Sequence, residues 1–125
     1  MKDKDKITRD KDIEASLEFL IKDFLCSYVY KYEMGSYYMY KNERFKVSIY
    51  EHPQFDELNI DIIINQENYH IDPAIEEPLE YRKLKQRGLK GFLNYDNKKF
   101  WEFIAKILKR KINELLKIKH DYNQT

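Results

Sequence analysis

Cysteine is almost missing from this 125-residue chain: Cys26 stands alone, so no disulfide can close within it. A secreted domain of this size commonly carries paired cysteines, and a lone thiol therefore points to a reducing, cytoplasmic setting. Glycine is scarce too, at three residues, which excludes a glycine-rich loop cradling phosphates. No apolar run approaches the roughly 20 residues that a bilayer span needs. The charged opening Met1–Lys6 is followed by no stretch of signal-peptide type. The expectation is a soluble cytoplasmic protein without a membrane partner. Lys and Arg are absent between Val47 and Tyr81, so that stretch is acidic without local compensation.

What is present is aromatic and charged. Eleven tyrosines and seven phenylalanines contribute to an apolar share of 42%, enough for one core in a chain of 15.4 kDa. The net charge of +1 conceals a division. Residues 1–81 hold 10 Lys/Arg against 18 Asp/Glu, a net of −8, and residues 82–120 hold 13 against 3, a net of +10. Such asymmetry marks a partner surface unless the two regions neutralise each other. The abundance of Lys, Asn, Ile and Tyr fits an AT-rich coding sequence, as in low-GC bacteria and their phages.

The hydrophobic periodicity predicts one α+β domain over residues 12–120, between a charged tail at 1–11 and a short tail at 121–125. Ile13, Leu17, Leu20, Ile21, Phe24, Leu25, Tyr28 and Tyr32 recur at three- and four-residue steps. They predict an N-terminal helix capped at Asp12 and stopped by Gly35. Phe19, Cys26 and Tyr30 form a second stripe on that helix and are candidates for self-association as a homodimer. Beyond Gly35 the period becomes two. Strands are expected over Tyr37–Lys41, Arg44–Glu51, Leu58–Ile64 and Tyr69–Ile71, joined by turns at Asn42–Glu43 and Asn65–Asn68. Three or four strands on short links form an antiparallel meander. An acidic loop between Pro73 and Pro78, a short helix over Leu79–Arg87 and a long amphipathic helix from Asn97 or Lys98 to Lys119 follow. Helices on one face of the sheet satisfy the layer rule.

Two surfaces stand out as sites. Lys99, Lys106, Lys109, Arg110 and Lys117 share one side of the last helix, a row about 30 Å long that suits a phosphate backbone. Asp56, Glu57, Asp61, Glu76, Glu77 and Glu80 form an acidic set that suits a basic protein partner. Catalysis has little support: no nucleophile elbow occurs and no base adjoins Cys26 in sequence. The histidines lack zinc-ligand spacing, and no cofactor is implied. Gly88-Leu89-Lys90-Gly91 matches a four-residue pattern of one RNA-binding fold without that fold's surroundings. The expected function is a non-enzymatic protein-binding module, such as an inhibitor, immunity or regulatory protein capping a macromolecule. The alternative is a nucleic-acid-binding accessory protein using the basic last helix.

Overall fold

The computed structural model describes residues 11–52, 57–86 and 97–124. Within them the order is a helical segment over 11–16 (α1), α2 (Glu18–Lys22), β1 (Ser27–Tyr32), β2 (Ser36–Lys41), β3 (Lys46–His52), β4 (Glu57–Ile64), β5 (Glu67–Ile71), α3 (Pro73–Glu76), α4 (Pro78–Gln86) and α5 (Asn97–Gln124). The five strands form one antiparallel sheet in sequence order β1-β2-β3-β4-β5. The α+β meander is as expected, with one strand more than three or four.

The extra strand comes out of the expected first helix. Asp12 lies inside helical residues rather than capping them, the helix breaks at Leu17, and α2 ends at Lys22 with Asp23 as its C-cap. Leu25 then turns the chain with φ 56°, and β1 begins. The reason is local. Tyr28 and Tyr32 fit a four-residue step, but Tyr28, Tyr30 and Tyr32 fit a two-residue step equally, and Tyr-Val-Tyr favours a strand. Ile21 and Leu25, expected in the core, are exposed. Gly35 is no helix stop; it lies in the β1–β2 hairpin, where the Glu33 N–H donates to the Gly35 carbonyl at 3.0 Å. A Cβ on Gly35 would stand 2.6 Å from Cε1 of Tyr50. The tyrosine ring therefore rests directly on that backbone.

The later turns carry clear chemistry. Asn42 Oδ1 accepts from the N–H groups of Arg44 (2.7 Å) and Phe45 (2.9 Å), while its Nδ2 donates to the Phe24 carbonyl at 2.9 Å. Arg44 thus belongs to the turn and β3 starts at Lys46. Asn65 and Gln66, at φ 52° and 69°, make the two-residue connection whose twist matches a hairpin. The acidic loop is partly helical: Asp72 caps α3 by accepting from Ala74 N–H at 3.0 Å, with Pro73 in the first turn. Pro78 opens α4 in the same way. The last helix continues to Gln124, past the expected tail boundary, because Asp121–Gln124 contains no proline or glycine to stop it.

One face of the sheet is covered. Tyr38, Tyr40, Val47, Ile49, Ile60, Ile62, Ile64 and Ile71 point to it. They form a single cluster with Ile13, Leu17 and Leu20 of the N-terminal segment and with Phe100, Trp101, Ile104, Leu108 and Ile112 of α5. Burying one such aliphatic side chain contributes about 1.5–3 kcal/mol. α5 therefore turns its apolar stripe inward and its charged stripe away from the sheet.

Candidate functional site

The basic stripe is only partly available. Lys99, Lys106, Lys109 and Lys117 are exposed on α5. Arg110 is turned to α3: it donates to Glu77 at 2.5 Å and to Glu76 at 3.0 Å. The bond to Glu77 leads in pushing the guanidinium pKa further up, and Glu76 adds to it. Lys111, which lies outside the expected stripe, reaches Glu76 at 2.9 Å. The acidic middle and the basic end thus meet at one clamp. Among the described residues no ion pair involves Lys106, Lys109 or Lys117.

The described members of the acidic set divide between two places: Glu76, Glu77 and Glu80 near α3 and α4, and Asp61 on the sheet. Glu76 and Glu77 belong to the clamp. Glu80, on α4, borders an open cleft of ≈ 700 Å³ whose floor is Leu84, Phe103 and Ile107 and whose rim carries both signs of charge. Asp61 lies on the far side of the sheet, 3.2 Å from Nδ1 of His70. Asp56 and the side chain of Glu57 lie outside the described residues, as does Gly88–Gly91. Glu51 points into the interior, 0% exposed, in register with Ser36 and Leu58. A carboxylate at that depth belongs to the core, not to a docking surface.

Phe19, Cys26 and Tyr30 do not form a stripe on one helix, because the helix ends before Cys26 and Tyr30 belongs to β1. Phe19 is half-buried on α2 and meets Phe24 edge-on at 6.2 Å. Cys26 is buried just before β1, and burial pushes its thiol pKa up. Tyr30 sits in β1, its ring 5.3 Å from that of Tyr38 and its hydroxyl 3.1 Å from Ser36 Oγ.

The surface that the sequence did not single out is the other face of the sheet. Register places its side chains in rows across the strands. One row runs Val29, Met39, Ser48, Asp61, His70; the next runs Lys31, Tyr37, Tyr50, Asn59; a third runs Ser27, Lys41, Lys46, Ile63, Asn68. Val29, Tyr37, Met39, Tyr50 and Ile63 neither belong to the core cluster nor pack against it. Tyr37 and Tyr50 lie 4.5 Å apart between ring centres, and Tyr50 contacts His52 edge-on at 6.4 Å. The result is an aromatic and aliphatic centre with Lys41 and Lys46 at one end and the Asp61–His70 pair at the far strands. Strand alternation was the available signal, since Asn59, Asp61 and Ile63 stood opposite the core residues. The mixture of polar and apolar side chains hid it.

Among the described residues no three His, Cys, Asp or Glu side chains come together as a metal site, and no helix is long and apolar enough to cross a membrane. No family model fits this sequence, and neither a curated protein nor a solved structure matches it.

Proposed function

We propose that the protein is a non-enzymatic protein-binding module that docks through the sheet face turned away from the helices, in the manner of an inhibitor, immunity or regulatory protein. One observation carries this reading. Val29, Tyr37, Met39, Tyr50 and Ile63 share that face, outside the core cluster, with lysines and an Asp–His pair around them. Interface centres are enriched in Tyr and Met and ringed by charge in the same way. The test is quantitative affinity capture from the cells that make the protein. Three baits are compared: wild type, Met39→Asp, and an α5 variant with Lys106, Lys109 and Lys117 changed to Glu. The reading expects a partner protein retained by wild type and the α5 variant and lost from Met39→Asp. A partner kept by Met39→Asp and lost from the α5 variant would sink it.

A second reading has its own support. Lys106, Lys109 and Lys117 remain exposed on one helix with no acidic partner among the described residues, and such a row suits phosphates. Oligonucleotide binding that weakens steeply with salt and disappears in the α5 variant would favour it. Binding indifferent to salt would remove it, because phosphate contacts release counterions.

A further inference from the structure

The two edges of the sheet are unlike. β5 presents Glu67, Asn68 and His70 and runs straight into the Asp72-capped α3. Charged and polar residues of that kind discourage strand addition. β1, at the other edge, reads Ser-Tyr-Val-Tyr-Lys-Tyr, strong strand formers with a single charge. Exposed apolar side chains gather on it and at its ends: Leu25 (81%), Val29 (54%), Tyr32 (61%) and Met34 (81%). Its one cation, Lys31, is already matched by Glu33 at 3.1 Å.

We propose that β1 pairs with β1 of a second copy of this chain, antiparallel about a two-fold axis through Val29, joining two five-stranded sheets into one. The register follows from two conditions. A two-fold axis normal to the sheet keeps each face continuous, so residues of like parity must oppose each other. Centring on Val29 sets it against its own copy, sets Tyr28 against Tyr30 of the second copy and Lys31 against Ser27. The two Lys31 side chains are then four residues apart along the strands, roughly 13 Å. Centring on Tyr30 instead would halve that spacing and bring the like charges together. On the helix side, the Tyr28–Tyr40 stack at 4.7 Å and the Tyr30–Tyr38 contact at 5.3 Å extend into a tyrosine ladder across the axis. Such a contact is isologous, so it closes at two copies instead of propagating. On the other side the docking face becomes continuous over ten strands. The pairing does not depend on that face having a partner.

The experiment is sedimentation of the full chain over a wide concentration range, with two variants of Val29, whose exposure leaves the monomer little to lose. Wild type sediments as a dimer. Val29→Lys places like charges against each other on the axis and weakens association at least about tenfold, with an unchanged circular dichroism spectrum. Val29→Cys, oxidised in air, gives a dimer linked through position 29 alone, with the buried Cys26 left reduced. A wild-type monomer at every concentration overturns the proposal. So does a dimer that Val29→Lys leaves intact, or one that Val29→Cys fails to link.

Discussion

Replacing Gly35 with alanine tests the packing of the sheet face turned away from the helices more sharply than any truncation does. The new Cβ would lie 2.6 Å from Tyr50 Cε1, 2.7 Å from its Oη and 2.8 Å from its Cζ. These atoms are the far end of one side chain, so the ring swings away while the backbone stays. Moving the ring gives up its contact with Tyr37 at 4.5 Å, about 0.5–1.5 kcal/mol for an aromatic pair. It also gives up a long hydrogen bond to the Met34 carbonyl at 3.4 Å, about 0.5 kcal/mol. The loss is about 1–2 kcal/mol. Gly35 has no left-handed φ, so alanine also removes freedom from the unfolded chain, a gain of about 0.4–1 kcal/mol. In the wild type the loss exceeds the gain, and Gly35→Ala destabilises by about 1 kcal/mol. In a Tyr50→Ala background only the gain remains, and the same substitution stabilises. Urea denaturation of the four proteins, followed by circular dichroism, reads the reversal of sign as a coupling of about 1–2 kcal/mol. Equal effects of Gly35→Ala in both backgrounds would mean that the ring does not lie on the glycine, and the geometry of this face would be wrong.

Three further outcomes follow from single residues. Asn42→Ala removes two bonds within the β2–β3 turn and the tie to Phe24; thermal or urea unfolding should register a loss of about 1–3 kcal/mol. Gln66→Gly relieves a left-handed, exposed residue in the β4–β5 hairpin, and the same assay should show a gain of about 1 kcal/mol; a loss would refute the turn. Burial leads in raising the Tyr40 pKa, with Tyr28, Glu14 and Cys26 adding to it, so the phenol stays neutral in the folded chain where the unfolded chain ionises. The stability it contributes is complete below the ordinary tyrosine range near pH 10 and drains away as pH rises beyond it. Tyr40→Phe should flatten that alkaline fall, and an unchanged slope would place the ionisation elsewhere.

How much of this was legible in the sequence depended on whether a residue's neighbours were local. β3 and β4 announced themselves because Val47, Ile49, Ile60 and Ile62 alternate with mostly polar residues, as one buried face requires, and β2 did so through its run of aromatics. β1 did not, because a tyrosine every second residue is also a tyrosine every fourth. The two periods coincide over Tyr28 to Tyr32, and only pairing with β2 decides between them. Arg110 sat correctly on the charged stripe of α5, yet its partner Glu77 is 33 positions away. Helical spacing carries no information about such a contact. The placement of Phe19, Cys26 and Tyr30 on one helix was lost for the reason β1 was: a stripe drawn on a helix no longer lines up once half of it is a strand.

The clamp changes what the charge division means. Its members are roughly one-fifth to one-half exposed, so the pairs contribute little stability, about 0–1 kcal/mol each. Their consequence is placement. Glu76 and Glu77 are held by Arg110 and Lys111, Glu51 is interior, and Asp61 is committed to His70 across the sheet. Among the described residues the acidic middle is therefore divided: Glu77 and Glu80 line one cleft beside Glu76, while Glu51 and Asp61 lie elsewhere, and Lys106, Lys109 and Lys117 stay in line on α5. On the two readings proposed above, a protein partner is recognised through side-chain shape on the sheet face turned away from the helices, and a polyanion through charge on α5. Salt separates the two: docking governed by Tyr37, Met39 and Ile63 should hardly change with ionic strength, while a contact through Lys106, Lys109 and Lys117 should fade as the Debye length shortens.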